Sequence, residues 1–543
     1  MKNKKSFIIL LVSLFLVYCP LDAIGQDQQA KNKVRVSLEK RVPSVIEAGS
    51  LKITQEIQDW NASETAIIVV DMWNQHWCKD ATARVAELAP EINKVISLAR
   101  DKGIFIVHAP SECMDAYKGH PGRKLAQKYK GTKVGNLFSD DKLATEKNAV
   151  WPIDQSDGGC NDSPECTQGS PWTNQIDQIV INEKDAISDS GIEIAGLFRA
   201  KGIKNVILVG VHTNMCVINR SFGLRNMVRL GMNVALMRDM TDTMYDSKQA
   251  PNVSHFTGNS LMIEYIEKYI CPTMVSSDLS GKKQFRFKDD SRPVVAFIIA
   301  ENEYHANKSL PEFAHDLLLT KGVQCEYALG KDEYTEPNLH NIENLQIMKD
   351  ADLAVFFIRR RALPSQQMSL VKEYVNSGKP VLGLRTASHA FNANKVVPNS
   401  DGTAVDASGK VPEFLDQWPE FDKDIFGGNY VGHYGTMKEG IVFSMVPGME
   451  NHPLFKGVSP ENIIGPVAPL YSLYENRPLR SASIQVLLLG TIPDKPVEPV
   501  LWINHREKGK VVYTSMGHWD DWKIEKFRTI MFNTVDYLLN TQN

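Results

Sequence analysis

Short, continuous apolar runs recur along this chain, and most are followed by a stretch whose apolar residues fall at helical spacing. The run "AIIVV" at Ala66 to Val70 ends on Asp71. A helix is predicted from about Ala81 to Lys102, closed by Gly103, and "IFIVHAP" is the next strand. A third strand lies in "IDQIVINEKDAISDSG" and ends near Lys184. "IEIAGLFRAKG" has helical spacing with Gly202 as its stop, and "NVILVGV" is a fourth strand. A helix then runs from Cys216 to Gly231, and "NVALMRDMTDT" supplies a fifth strand. Strands that are apolar on both faces and alternate with helices predict a parallel sheet covered on both sides.

The pattern lapses in "SSDLSGKKQFRFKDDSRP", where Ser, Gly and charge replace periodicity, and this marks a linker over residues 276–291. It restarts with "VVAFIIAE", a helix around Leu310 to Lys321 and Gly322 as its stop. "ADLAVFFI", "SQQMSLVKEYVNSG" and "KPVLGLRTASHAF" follow as strand, helix and strand. The last part is richer in loops and closes with "EPVLWINH", "GKVVYTSMG" and a helix from about Lys523 to Leu539. The expected fold is α/β: two three-layer αβα domains with mainly parallel sheets, over residues 46–275 and 292–543. Residues 26–45 are expected to be a polar lead-in.

Length agrees with this division, since 543 residues exceed what one ordinary core holds. The net charge of −3 comes from nearly balanced acids and bases, which leaves no basic excess to attract nucleic acid. The first residues depart from the average. "MKNKK" is a positive segment, "FIILLVSLFLV" an apolar one of signal length, and "AIGQ" offers small residues for cleavage before Gln26. A signal peptide over residues 1–25, export to the periplasm or beyond, and no membrane contact after cleavage are therefore expected. Removing Cys19 with the signal leaves seven of the eight cysteines, an odd count that suggests a free thiol. Cys160 and Cys166 share a loop rich in Gly, Ser, Pro and Asp and are expected to form a disulfide. A metal there is the weaker expectation, since no His or further Cys is near in sequence.

In an open parallel sheet, ligands bind beyond the carboxyl ends of the strands. Asp71, Lys184 and Cys216 all fall at predicted strand ends. A helix start at Cys216 and a nearby ammonium would lower the thiol pKa. A carboxylate can take the thiol proton and return it to a leaving amine. The turn before the helix would aim backbone N–H groups at a developing oxyanion.

"AIIVVDMWNQHW", "INEKDAISDSG" and "VILVGVHTNMCV" resemble, in order and spacing, the isochorismatase-like cysteine hydrolases, which include nicotinamidases and other small amidases. The resemblance covers roughly residues 60 to 270, and its strongest element is Gly-x-x-Thr-x-x-Cys at Gly210, Thr213 and Cys216. It implies an Asp71–Lys184–Cys216 triad, a cis peptide at Val211–His212, and an oxyanion hole from the N–H groups of His212 and Cys216. The nicotinamidase subgroup also holds a metal through an Asp and histidines just after the first Asp. Here "DMWNQHWCKD" supplies only His76, so no cofactor is assigned and a divalent metal in this domain is the weaker expectation. Trp73, Trp77, His212 and Asn214 are expected to wall the pocket and to favour a flat or sugar-like substrate. The insertion from about Lys118 to Trp172 is expected to serve as a lid or an oligomer contact, and a homo-oligomer is expected.

The second half resembles ThuA-like (trehalose utilisation) domains, which share a flavodoxin-like fold with glutamine amidotransferases. The matching words are "GLRTASHAF", "DIFGGNYVGHYG" and "VVYTSMGHWDDW". Where the amidotransferases place a nucleophilic Cys, this chain has Arg385, followed by Thr386 and Ser388, so glutaminase chemistry is not expected. His389, His433 and His518 lie in the three matching segments. They are candidates for a sugar or metal site, or else strand-end histidines satisfied by backbone carbonyls. Glu301, Glu303 and Tyr304 follow the domain's first strand and belong to the same rim. The expected function is hydrolysis of a small amide through a Cys216 thioester, beside a carbohydrate-related module. The alternative makes the second domain the main sugar-binding or sugar-modifying unit.

Overall fold

A computed structural model of the chain describes all residues except 1–31, 45–46, 48, 130–137, 302, 332–338, 394–413, 435–439, 460–471 and 541–543. The expected signal segment therefore lies outside the described residues.

The first sheet has the order β2-β1-β8-β7-β6-β3-β4-β5. Its strands are β1 (Lys33–Pro43), β2 (Leu51–Asn61), β3 (Thr65–Val70), β4 (Phe105–Ala109), β5 (Ala186–Ile187), β6 (Asn205–Val211), β7 (Asn233–Asp242) and β8 (Thr273–Met274). β8 through β5 run parallel, whereas β1 pairs antiparallel with β2 and β8. Every residue of β3 is buried: Ile67 and Val69 face one core, Ala66, Ile68 and Val70 the other. Helix α1 (Lys79–Asp101) covers the first face through Val85, Leu88, Ile92 and Ile96. Helices α2 (Gly191–Lys201), α3 (Leu224–Arg229) and α4 (His255–Tyr269) cover the second.

The second sheet has the order β11-β10-β9-β12-β14-β21-β20-β19-β17. β9 (Val294–Ala300), β10 (Gln324–Gly330), β12 (Leu353–Ile358), β14 (Val381–Leu384) and β21 (Lys510–Thr514) are parallel. β11 (Ile342–Glu343) joins one edge, and β20 (Glu498–His505), β19 (Ile484–Thr491) and β17 (Val442–Met445) extend the other antiparallel. Two-residue ribbons β13 (Leu363–Pro364) with β15 (Leu415–Asp416), and β16 (Gly432–His433) with β18 (Tyr474–Glu475), sit outside it. Helices α5 (Ala306–Lys321) and α7 (Glu525–Asn540) cover one face and α6 (Ser365–Asn376) the other. Both halves are thus three-layer αβα domains, as the periodicity predicts.

Two boundaries differ from the sequence reading. The lead-in assigned to residues 26–45 includes β1, whose Val34, Val36 and Leu38 alternate into the first core. Its hairpin partner β2 sends Ile53 into the core of the second domain, and Gln55 bonds both the Tyr327 carbonyl and the Leu329 amide. The segment assigned as a linker packs Leu279 and Phe287 into the first core, because their side chains have apolar surface to bury there.

Candidate active site at the carboxyl ends of the first sheet

The chain goes from β3 to β4 on one side and later to β6 on the other, so β3 and β6 flank the point where strand order reverses. Asp71 follows β3, and Cys216 lies in the turn of helix Thr213–Val217 that follows β6. The local sequence makes this close approach feasible. Gly210 has φ of 104°, and a Cβ there would lie 2.1 Å from the Val70 carbonyl oxygen. The Val211–His212 peptide is cis, where the resemblance places it.

Asp71 is buried and sits at φ of 44°. Its Oδ1 accepts from the Ser111 amide at 2.7 Å, its Oδ2 from Arg220 Nε at 3.2 Å, and the Cys216 thiol also donates to it. Burial pushes the Asp71 carboxyl above its ordinary value, and Arg220, Cys216 and Ser111 only partly offset this. The Cys216 thiol is pushed far up, first by burial and then by the Asp71 charge, while Arg220 and the His212 N–H pull the other way. A helix start and a cation do not win here. Both shifts favour the protonated forms, so the resting sulfur is a thiol.

Lys184 is a correction. It is exposed and lies two residues before β5, beside Ser63, Gly103, Ile104 and Lys201 at the amino ends of the strands. Extending the β4–β5 register places it level with Phe105, which pairs with Ala66. At about 3.3 Å per residue this is ~16 Å below Asp71 along the strands. The strand predicted to end at Lys184 instead begins after it. The cation beside Asp71 and Cys216 is Arg220, which also reaches Glu112 Oε1 at 3.5 Å. Sequence reasoning missed it, although it lies four residues beyond Cys216 at helical spacing.

Trp73 is buried, donates from Nε1 to the Ser111 carbonyl at 3.1 Å, and stacks on Trp172 with centroids 4.1 Å apart. His76 stacks beside Trp172, and Trp77 and His212 lie 5.2 and 4.9 Å from its ring. These rings form one aromatic wall, to which the end of the insertion contributes Trp172. Burial keeps both imidazoles neutral: His76 is lowered to about 4, and His212 well below its ordinary value. Asn214 does not belong to the wall. Its amide is buried and committed on both sides to Met244, receiving its N–H at 2.9 Å and donating to its carbonyl at 2.8 Å.

In the second domain, Arg385 follows β14 at φ of 42° and is buried. Its guanidinium lies over the rings of Tyr304 and Tyr474, at 4.3 and 4.8 Å, and donates to the Ser515 carbonyl. His389 stacks on Tyr430 at 4.5 Å, His433 lies 6.3 Å from the Tyr474 ring, and His518 packs on Trp519 at 3.8 Å and edge-on to Tyr304. The three histidines thus surround one aromatic cluster, but among the described residues they do not converge as metal ligands. Burial lowers His389 far down and His518 to about 4, so both are neutral. Glu301 is spent on the amides of Glu303, Tyr304 and Ala306 at the start of α5.

The first site is thus a cysteine–carboxylate pair beside an arginine, and the second an aromatic rim around a buried arginine. Residues 65–258 match the isochorismatase domain family, and residues 294–538 match the trehalose utilisation (ThuA) family. The chain therefore joins an isochorismatase-like hydrolase domain to a ThuA-like domain. A search of curated proteins finds no match. Among solved structures, a cysteine hydrolase from Pseudomonas syringae pv. phaseolicola is 16% identical, covering 41% of this chain and 95% of that one, with a TM-score of 0.27. A ThuA-like protein from Parabacteroides merdae is 13% identical over 46% of this chain and 91% of its own, with a TM-score of 0.30. An N-carbamoylsarcosine amidase from Thermoplasma acidophilum is 14% identical over 33% and 83%, with a TM-score of 0.19. These likenesses are low, and the family matches carry the assignment.

Proposed function

We propose that the first domain hydrolyses a small amide through a thioester on Cys216, in an exported protein. The observation that carries this reading is the Cys216 thiol against buried Asp71, whose Oδ2 also accepts from Arg220. Cys216 attacks the amide carbon while Asp71 takes the thiol proton. Asp71 then gives that proton to the departing ammonia or amine, and water cleaves the thioester. Arg220 fills the cationic position that the resemblance assigns to Lys184. Its charge keeps Asp71 ionised enough to act as the base despite burial. The N–H groups of His212 and Cys216 face the carbonyl oxygen as it gains charge. The stacked Trp73 and Trp172 suit a flat substrate. The apolar segment near the N-terminus supports export.

A panel of small amides, assayed for released ammonia with the wild type and Cys216→Ala, tests this. Turnover of some panel member should vanish in the variant, and turnover that survives it overturns the reading.

A second reading concerns the ThuA-like domain. Tyr304, Tyr430, Tyr474 and Trp519 around Arg385 offer ring faces and fixed donors of the kind that sugars use. Under this reading the domain binds a carbohydrate. Calorimetric titration of the full chain with a set of mono- and disaccharides should show binding that Tyr474→Ala weakens; no binding by the wild type removes it.

A further inference from the structure

The sequence leads one to expect a Cys160–Cys166 disulfide, with no third ligand nearby. The fold changes both points. Cys160 and Cys166 are free thiols, and the start of α1 brings Cys78 to them from 82 and 88 positions away in the sequence. All three sulfurs face one oxygen: Asp162 Oδ2 lies 3.2 Å from Cys78 Sγ, 3.3 Å from Cys160 Sγ and 3.2 Å from Cys166 Sγ. Cys78 and Cys160 are buried, and the ligand atoms of Cys78, Cys160 and Asp162 all lie within 4.8 Å of one another.

As a hydrogen-bond network this cluster is overcommitted. The same Oδ2 also accepts the amides of Lys79 at 2.9 Å and Asp80 at 3.2 Å, so five donors compete for an oxygen with two lone pairs. As a coordination shell it is reasonable. A tetrahedral zinc with Zn–S near 2.3 Å and Zn–O near 2.0 Å sets sulfur and oxygen ligands about 3.5 Å apart, close to the 3.2–3.3 Å between each sulfur and Asp162 Oδ2. Cys166 Sγ lies outside the group formed by the other three ligand atoms, so its side chain would turn inward to complete the shell. The second sphere also fits thiolates. The Ala81 amide points at Cys78 Sγ, and the amides of Asp162 and Cys166 point at Cys160 Sγ. The N-terminus of the 23-residue helix α1 offsets part of the added negative charge.

We propose that Cys78, Cys160 and Asp162, with Cys166 turning in as the fourth ligand, form a binding site for one soft divalent cation, of which zinc is the best match to three sulfurs and a carboxylate. Binding replaces three S–H bonds with metal–sulfur bonds and releases those protons to solvent, with no change of oxidation state. The site is structural, since its donors come wholly from the protein. It pins the insertion to the start of α1, one residue after Trp77 and two after His76, whose Nδ1 accepts the Cys78 amide at 3.2 Å. From the same loop, Gln155 bonds Asn214, two residues from Cys216. The cation would thereby hold the aromatic wall of the hydrolase pocket in place.

The test uses the full chain, reduced, loaded with zinc or cobalt(II) and desalted. Elemental analysis should find about one equivalent of zinc per chain. Cobalt should give sulfur-to-metal charge-transfer absorption in the near ultraviolet with tetrahedral visible bands. Cys160→Ser and Cys166→Ser should each lose the metal or weaken its binding at least tenfold, whereas Cys271→Ser, at a buried cysteine outside the cluster, should keep it. Should either variant fail to fold, the wild-type cobalt spectrum alone decides. Wild-type protein that binds no metal, or whose cobalt spectrum lacks the thiolate bands, overturns the proposal, as does a Cys160–Cys166 or Cys78–Cys160 disulfide that persists through reduction.

Discussion

Replacing Asp71 with Asn removes the base and, by the same stroke, the charge that holds the Cys216 proton in place. Turnover should collapse, yet the thiol should become more reactive towards a simple alkylating agent. Asp71 is fully buried and hydrogen-bonded to the thiol, so its charge acts at a distance of roughly 4 Å. At an effective dielectric of about 20 this is ~4 kcal/mol, or about 3 pKa units as an upper bound. Neighbouring charges shift pKa values by about 1–3 units in practice, and about 2 is a fair middle value. Two units raise the thiolate fraction near neutral pH about 100-fold. The less basic thiolate is a weaker nucleophile by roughly tenfold, given a Brønsted coefficient of about 0.4–0.5. The net expectation is an increase of about tenfold. Iodoacetamide labelling at neutral pH, followed by mass spectrometry of the peptide carrying Cys216, measures it. Equal or slower labelling in Asp71→Asn would refute the reasoning, because it would mean that Asp71 already draws the proton off sulfur in the resting enzyme.

Arg220→Gln should act with the opposite sign, slowing Cys216 labelling. It should also move the acid limb of turnover to higher pH by about 1 unit, since Asp71 then loses its counter-charge; an unmoved limb in the folded variant would exclude Arg220 from the pair. Lys184→Ala should leave turnover within about twofold of wild type in the amide assay, as befits an exposed side chain at the far end of the sheet. Asn214→Ala should cost about 1–3 kcal/mol in urea unfolding, because the Met244 backbone loses both partners in a buried place. Burial opposes ionisation of Glu146, but Arg225, the Leu143 amide and the Tyr265 hydroxyl outweigh it and hold the carboxyl below its ordinary value of 4.5. Its folded pKa is the lower one, so its stabilisation is complete above about pH 4.5 and is lost as pH falls through the folded value. Circular dichroism on acidification should show that part of the loss disappear in Glu146→Gln.

Periodicity alone specified both parallel sheets, because β3, β6, β9 and β12 are apolar on both faces and stop at a polar turn. It placed Asp71 and Cys216 at strand ends for the same reason. It failed on Lys184, because residues 175–187 are largely irregular and contain only the two-residue strand β5, too short for its start to be read from an apolar run. The arm Lys33–Pro43 was legible in principle through Val34, Val36 and Leu38, but its charged alternate residues gave it the look of a polar leader.

What the sequence determined by itself is local: where strands end, which residue begins a helix, which turn needs Gly210. Tertiary structure decided which distant side chains meet. Arg220 rather than Lys184 reaches Asp71, because helix spacing after β6 aims it there, while strand register carries Lys184 to the opposite end of the strands. Cys78 joins Cys160 and Cys166 only because the insertion folds back over the start of α1. Strand register and loop return set these distances, and neither leaves a periodic trace in the chain.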